Sequence, residues 1–210
     1  MVWAVSWADA ICSSPFQGEV RWGYEVPALH RPPIPLTCAP RIPQKLKKVS
    51  PMADYADPEN TLVIETTKGN VVIALRPDLA PNHVAHIKKL AREKFYDNIV
   101  FHRVIDGFMA QTGDPRGTGT GGSKYPDLKQ EFSAEPHVRG TASMARSSNP
   151  DSANSQFFIC FADAPFLNKQ YTVWGNVIEG MENVDQIKRG EPVQNPDKMV
   201  TVRVAADLAE

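Results

Sequence analysis

The side chains best suited to chemistry lie in residues 101–114, which read FHRVIDGFMAQTGD. Within this run, Arg103 precedes the apolar pair Phe108 and Met109, and the amide of Gln111 follows. The run pairs no nucleophile with a general base, so it does not indicate covalent catalysis. The guanidinium of arginine keeps its charge even inside a partly apolar cleft. Taken alone, however, the run is more typical of a surface or structural arginine beside core residues, and a positive donor beside an apolar wall is the alternative.

Two further stretches carry polar and aromatic side chains. Residues 155–159 read SQFFI, and alternation along a strand places Gln156 and Phe158 on one face. Phe157 then points to the opposite face, and we assign it to the core. The other stretch supplies an apolar and aromatic set: Phe166, Leu167 and Tyr171.

A glycine-rich run, residues 117–122, contains the pattern G-x-G-x-x-G. Dinucleotide binding requires a strand before this pattern and a helix after it. The chain continues as SKYP, which does not begin a helix, and a Walker lysine is absent from the required position. We therefore interpret the run as a flexible loop beside a groove and predict no cofactor.

Three histidines and one cysteine have simple structural interpretations. His83 and His86 are three residues apart on a predicted helix without a third ligand nearby in sequence, so a solvated helix face is favoured over a metal site. His102 alternates with Arg103 and is expected to hydrogen-bond in the interior. Cys160 is expected to be a small buried hydrophobic residue.

Composition excludes several classes of protein. A net charge of −1 and a sequence pI near 6.5 give no electrostatic reason to expect nucleic acid or an anionic membrane surface as a partner. No apolar run approaches the 18 or so residues of a membrane span. Three widely spaced cysteines do not form a disulfide framework. These features predict a reducing compartment, and without an export signal the expected location is the cytoplasm.

The chain divides at about residue 51. Residues 1–51 hold eight of the 18 prolines and carry a net charge of +3, from six basic and three acidic residues. A proline-rich composition opposes both helix and strand. The segment is interpreted as a disordered extension, a targeting segment, a docking segment for another protein, or a wrongly assigned start upstream of Met52. Residues 52–210 are the predicted folded domain.

The predicted domain consists of many short strands and two helices. Residues 61–67 and 70–76 form a hairpin around Lys68-Gly69. Pro81 begins a helix, because its missing N–H costs nothing there, and its apolar face is formed by Val84, Ile87, Ala91 and Phe95. Further strands are predicted at 98–105, 155–161, 172–178 and 199–205, and a second helix at 181–189. This pattern favours a β-barrel or sandwich with helices at its ends.

Three of these motifs, in order and spacing, resemble the cyclophilin signature: FHRVIxGFMxQxGD, GTGG and NSQFFI. The resemblance extends from about Asn60 to Ala205 and is closest to the short single-domain bacterial members. It implies a closed eight-stranded antiparallel β-barrel capped by two α-helices. It also implies a cofactor-independent peptidyl-prolyl cis–trans isomerase that assists folding of proline-containing segments. A small closed barrel has no unpaired edge and is expected to be a monomer.

The resemblance also implies a role for each matching residue. Arg103 corresponds to the catalytic arginine and Gln111 to the side chain that hydrogen-bonds the substrate backbone. The proline pocket corresponds to Phe108, Met109, Phe158 and Leu167. The adjoining groove corresponds to Gly119, Ala145, Arg146 and Gln156.

Three positions depart from the common family pattern. Tyr171 replaces a frequent histidine and keeps an aromatic wall with a polar tip. Phe166 replaces a frequent tryptophan and removes an indole N–H, so any cyclosporin binding is expected to be weak. Arg146 replaces the usual asparagine, which is expected to alter substrate preference. The rival hypothesis is a peptide-binding or chaperone module with this fold and little turnover.

Overall fold

The computed structural model describes residues 55–208. Residues 1–51, for which we predicted an extension or a wrongly assigned start, lie outside the described residues, as do Cys12 and Cys38. The fold begins with the predicted hairpin, in which β1 (Thr61–Thr66) pairs with β2 (Gly69–Leu75). Gly69 adopts φ +136°, and a Cβ there would lie 2.7 Å from the side chain of Asn183. Glycine therefore suits both the turn and its close packing.

Six more strands extend this hairpin into one antiparallel sheet. They are β3 (Arg103–Ile105), β4 (Met109–Thr112), β5 (Thr141–Met144), β6 (Phe157–Cys160), β7 (Val173–Glu179) and β8 (Met199–Val204). The strand order is β3-β4-β6-β5-β7-β2-β1-β8. The sheet is curled into a half-barrel accompanied by two helices.

The ends of this sheet do not pair as strands. Near the ends of β3 and β8, one isolated bridge joins Val100 to Lys198. Beside it, the N–H of Phe101 donates to the carbonyl of Asp197 at 2.9 Å. The predicted strand number, antiparallel pairing and two helices are therefore confirmed. The half-barrel is open, so the predicted closed barrel is not confirmed.

Helix α1 (Pro81–Arg92) begins at the predicted proline, and its Val84, Ile87 and Ala91 are buried. Phe95, which we placed on the same helix, lies beyond its end, because Lys94 adopts a left-handed φ of 58°. No helix within residues 55–208 is long and apolar enough to cross a bilayer.

Helix α2 (Met181–Asp185) ends earlier than the predicted residue 189. A continuing helix would direct the N–H of Lys188 to a carbonyl one turn back. Instead this N–H donates to the carboxylate of Asp197 at 2.9 Å. A distant carboxylate thus competes with the helical pattern. The strand predicted to begin at residue 98 is also shorter than expected, because β3 begins at Arg103. Asn98 itself adopts a left-handed φ of 63°, which is not a strand conformation.

Strand β6 separates two apolar clusters. Phe157 lies in the main core, as we predicted, together with Ile159. Trp174 is fully buried in the same core. Phe158 and Cys160 join a smaller cluster on the opposite face. Cys160 is buried as predicted, and this burial raises the pKa of its thiol to about 12. The smaller cluster, with Met109, Ala164 and Leu167 as its other buried members, lies beneath the candidate site.

The solvated helix face predicted for His83 and His86 is wrong. Both are buried, with exposures of 0% and 9%. Nδ1 of His83 lies 2.5 Å from the carboxylate of Glu131, which also accepts the backbone N–H groups of Asn82 and His83. Ala80 provides no side-chain cap for α1, so Glu131 satisfies the helix start from a distant loop.

The remaining predictions for histidine concern metals and His102. Within the described part of the chain, no group of three His, Cys, Asp or Glu side chains is placed to hold a metal ion. His102 is buried as expected, but neither ring nitrogen has a hydrogen-bond partner among residues 55–208. Burial lowers the pKa of this imidazole, which favours its neutral form.

Candidate active site

The predicted site residues meet around a cavity of about 110 Å³ on the face of the sheet above the smaller cluster. Its lining consists of Arg103, Phe108, Met109, Gln111, Ala145, Arg146, Phe158, Leu167 and Tyr171. All of these were selected from the sequence, although they are spread over nearly seventy residues of chain. Tertiary structure thus brings most of the predicted set together.

Strand register places three of these side chains in a row. Arg103 on β3 lies opposite Gln111 on β4, and Gln111 lies opposite Phe158 on β6. Directly opposed residues on antiparallel strands project to the same face of a sheet. A cation, an amide and an aromatic ring are therefore held side by side by backbone pairing.

The floor of the cavity is apolar and buried. Met109, Phe158 and Leu167 have exposures of 2%, 5% and 6%. The ring of Tyr171 meets Phe158 edge to face, with centroids 5.7 Å apart, a favourable aromatic arrangement. A 3₁₀ turn at Pro165–Leu167 directs Leu167 inward. The adjacent Phe166 is 61% exposed and does not line this cavity, although the centroid of its ring lies 5.3 Å from that of Phe108.

Arg103 has a partner that the sequence analysis did not identify. Its Nε–H donates to Oε1 of Glu191 at 2.5 Å. Both side chains are partly exposed, at 40% for Arg103 and 56% for Glu191. The two residues are 88 positions apart in the chain, and no local sequence pattern relates them.

The two predicted glutamines are linked to each other. Nε2 of Gln111 donates to Oε1 of Gln156 at 2.9 Å. Nε2 of Gln156 then donates to the carbonyls of Gly119 and Gly121, at 3.0 and 2.8 Å. These bonds connect the strands of the first cavity to the glycine-rich loop.

The glycine-rich loop is organised around one carboxylate. Asp114 accepts backbone N–H bonds at 2.6–3.1 Å from Arg116, Thr118, Gly119 and Gly121. Burial alone would raise the pKa of Asp114, but these N–H groups outweigh it and lower the pKa to about 2. A Cβ on Gly121 would lie 1.9 Å from this carboxylate. The loop borders the groove as predicted, no helix follows it within residues 123–140, and Asp114 is a structural residue that our motif analysis overlooked.

This loop lines a second, larger cavity of about 510 Å³ beside the first. Gly119 and Gln156, both predicted groove residues, lie here, and Gln111, Ala145 and Arg146 line both cavities. The guanidinium of Arg146 donates to the carbonyl of Gln170 and lies over the ring of Tyr171, 4.6 Å from its centroid. Arg146 is therefore anchored where the two cavities meet.

Comparison with known protein families matches residues 61–206 to the cyclophilin type peptidyl-prolyl cis-trans isomerase/CLD family. Among curated proteins, the chain is 57% identical over 171 residues to a probable peptidyl-prolyl cis-trans isomerase of Brucella suis. That match covers 74% of this chain and 87% of the relative.

Solved structures of cyclophilins are also similar to this chain. Cyclophilin AquaCyp293 from Hirschia baltica superposes with a TM-score of 0.67 at 32% identity, covering 72% of this chain and 76% of that one. A cyclophilin-type isomerase of Cryptosporidium parvum, crystallised in the presence of the dipeptide Ala-Pro, gives a TM-score of 0.65 at 28% identity. That match covers 69% of this chain and 98% of the relative.

Proposed function

This chain belongs to the cyclophilin-type peptidyl-prolyl cis–trans isomerase family, and we propose that Arg103 is its principal catalytic residue. The protein is an enzyme that accelerates rotation of X-Pro bonds, without a cofactor, and its family binds proline-containing peptides. The observation that carries the proposal is the row of Arg103, Gln111 and Phe158 on three adjacent strands above a buried apolar floor.

The chemistry of the reaction sets what the site must do. Rotation about a peptide bond has a barrier of ~18–20 kcal/mol, because the C–N bond has partial double-bond character. Uncatalysed X-Pro exchange takes roughly 10–100 s. No bond breaks, so the enzyme must bind the twisted peptide better than either planar isomer.

Arg103 supplies this preference in our proposal. In the twisted form the proline nitrogen regains a lone pair, and a guanidinium N–H aimed at that nitrogen strengthens its hydrogen bond as resonance is lost. The apolar floor holds the proline ring, with Phe108, Met109, Phe158 and Leu167 as the contacting residues. Excluding water from the cavity also strengthens the field of the guanidinium.

Gln111 orients the substrate backbone beside the reacting bond. A primary amide carries two N–H donors, and one of those on Gln111 is donated to Gln156. Among residues 55–208, the other donor and the carbonyl oxygen of Gln111 have no partner and remain for the substrate. The peptide on either side of the proline then contacts Gly119, Ala145, Arg146, Gln156 and Tyr171. Phe166 extends the surface with a ring that has no N–H. The missing donor is the reason to expect that cyclosporin binding is weak.

The substrates in this proposal are exposed proline-containing segments of unfolded proteins, and the enzyme acts as a monomer in the cytoplasm. Closure of the half-barrel into a complete barrel belongs to the same proposal. It is supported by the bridge between Val100 and Lys198 and by residues 190–198, which run beside the outer edge of β3. An edge covered in this way is a poor template for pairing with a second chain.

The test is a cis-to-trans assay on a proline tetrapeptide with isomer-specific proteolysis, comparing the full chain with Arg103→Ala. Loss of a preorganised donor costs about 10²–10³-fold in rate, and we expect a loss of that size in kcat/KM. Arg139→Ala is the matched control, because Arg139 pairs with Asp185 and lines neither cavity.

Two results would contradict the proposal in different ways. A folded Arg103→Ala variant with wild-type activity would exclude the role of Arg103. A folded wild-type protein that binds proline peptides without accelerating exchange would favour the rival peptide-binding module.

A further inference from the structure

A short segment, Gly190 to Val193, lies along the outer edge of β3. Val104 and Gly190 exchange two backbone hydrogen bonds, of 2.9 and 2.8 Å, and the N–H of Val193 donates to the carbonyl of His102 at 3.2 Å. Between these anchors, Glu191 and Pro192 lie opposite the single residue Arg103. Backbone pairing thus places the side chain of Glu191 beside the guanidinium.

We infer that Glu191 is a positioning residue for Arg103, an inference that rests on the catalytic role proposed for that arginine. The carboxylate takes only the Nε–H of Arg103, at 2.5 Å. Among residues 55–208, the side chain of Arg103 makes no other hydrogen bond. The four N–H groups on its two Nη atoms therefore remain for the substrate.

The position of Glu191 shows whether it holds the Arg103 guanidinium or competes with substrate for its donors. Glu191 lines neither cavity of the groove, whereas Arg103 lines the first. The carboxylate therefore holds the guanidinium from outside and does not occupy the space of the proline ring. A carboxylate inside the cavity would instead compete with substrate for the Nη donors.

Holding Nε restricts the orientation of the guanidinium. An unheld arginine populates many rotamers on a long flexible stem, and only some of them aim an Nη atom at the proline nitrogen. Since both partners are partly exposed, solvent screens their charges. Glu191 thus acts through the orientation of the cation, and screening limits how far its charge offsets the field of the guanidinium.

The first experiment compares Glu191→Ala and Glu191→Gln in the tetrapeptide assay, with kcat and KM separated. An exposed ion pair is worth at most about a fivefold change in population, so we expect kcat of Glu191→Ala to fall about three- to fivefold. KM should stay unchanged, because ground-state contacts with the peptide persist. Glu191→Gln keeps an acceptor at the same reach and should retain at least half of the wild-type kcat.

Two further variants test whether the effect is specific to the reach and position of the Glu191 carboxylate. Glu191→Asp keeps the charge but places it one methylene short, so it should lose activity as Glu191→Ala does. Asp106→Asn is the matched control, because Asp106 is a second carboxylate near this edge, bonded to Arg189 at 3.0 Å and outside both cavities. Its kcat should match that of the wild type.

A spectroscopic readout separates positioning from a general structural effect. The ¹H–¹⁵N signal of the Arg103 Nε–H, assigned by its absence from Arg103→Ala, should be visible in the wild type and in Glu191→Gln. It should be broadened by solvent exchange in Glu191→Ala, where the acceptor is missing.

The inference is overturned if Glu191→Ala keeps or exceeds the wild-type kcat, or if its loss lies in KM alone. A normal Glu191→Ala beside an inactive Arg103→Ala would reject the inference and leave the proposed function intact. Wild-type activity in Arg103→Ala would reject both.

Discussion

The two cavities of the groove are built in different ways. The first is centred on side chains of β3, β4 and β6, whose register places a cation and an amide above an apolar floor. The second includes four residues of the glycine-rich loop in its lining, and the backbone N–H groups of this loop converge on Asp114. Packing therefore stabilises one cavity, and buried hydrogen bonds to a charge stabilise the other.

This difference suggests that the two cavities have different functions. A donor above a buried apolar floor suits a reaction that needs a fixed geometry at one atom. A larger cavity lined by Thr120, Ser147, Ser152 and Asn154 offers polar groups to neighbouring substrate residues. The comparison predicts that changes in the first cavity remove activity, whereas changes in the second redirect it.

The largest expected effect comes from removing the aromatic floor. Phe158→Ala should lower the free energy of unfolding by about 3–5 kcal/mol, since truncating a buried Phe costs its transfer energy and leaves a cavity. We expect the lower end, because the ring already faces the first cavity. Urea denaturation measures the loss, and kcat/KM should fall at least tenfold at temperatures where the variant is folded.

Gln156→Ala provides the matched truncation at the junction with the second cavity. It removes the two bonds donated to the carbonyls of Gly119 and Gly121 and the one accepted from Gln111. Each is worth about 0.5–1.5 kcal/mol. Because solvent in the second cavity can replace part of these bonds, the cost should be smaller than that of Phe158→Ala. Equal costs for the two variants would contradict the distinction between the cavities.

A change at Asp114 tests the charge at the centre of the loop. Hydrogen bonding lowers its pKa from 3.8 to about 2, so the carboxylate stabilises the fold above pH 4, and this contribution is lost as the pH falls from 4 through 2. Linkage gives about 2–3 kcal/mol for such a shift. Asp114→Asn should lose that amount at pH 7 in urea denaturation and show a flatter dependence of stability between pH 5 and 2. An unchanged slope would assign the acid sensitivity to other carboxylates.

The smallest expected effect is a change of preference at the junction of the cavities. Arg146 presents a cation there, so Arg146→Asn should reduce kcat/KM for a peptide with an acidic residue before the X-Pro bond. An exposed charge pair contributes about 0.2–1 kcal/mol, which corresponds to a change of about 1.4- to fivefold. A matched peptide with a neutral residue at that position should be processed at the wild-type rate. Equal losses on both peptides would give Arg146 a general role in the reaction.

The sequence by itself determined much of the local structure and most of the membership of the site. The hairpin around Gly69, the start of α1 at Pro81 and the opposite faces of Phe157 and Phe158 were all predicted correctly. These features depend on backbone preferences and alternation over a few residues, which a sequence shows directly. The cavity lining was available from the sequence through the resemblance of whole motifs.

Only the tertiary structure decided the contacts between distant residues. It buried His83 beneath Glu131, ended α2 through Asp197 and placed Glu191 behind Arg103. Strands β4 and β5 were not predicted from the local pattern, since each has four residues and depends on pairing with its neighbours. Pairings such as that of Arg103 with Glu191 join residues 88 positions apart. Local periodicity carries no record of such pairs, because the folded backbone alone brings them within hydrogen-bonding distance.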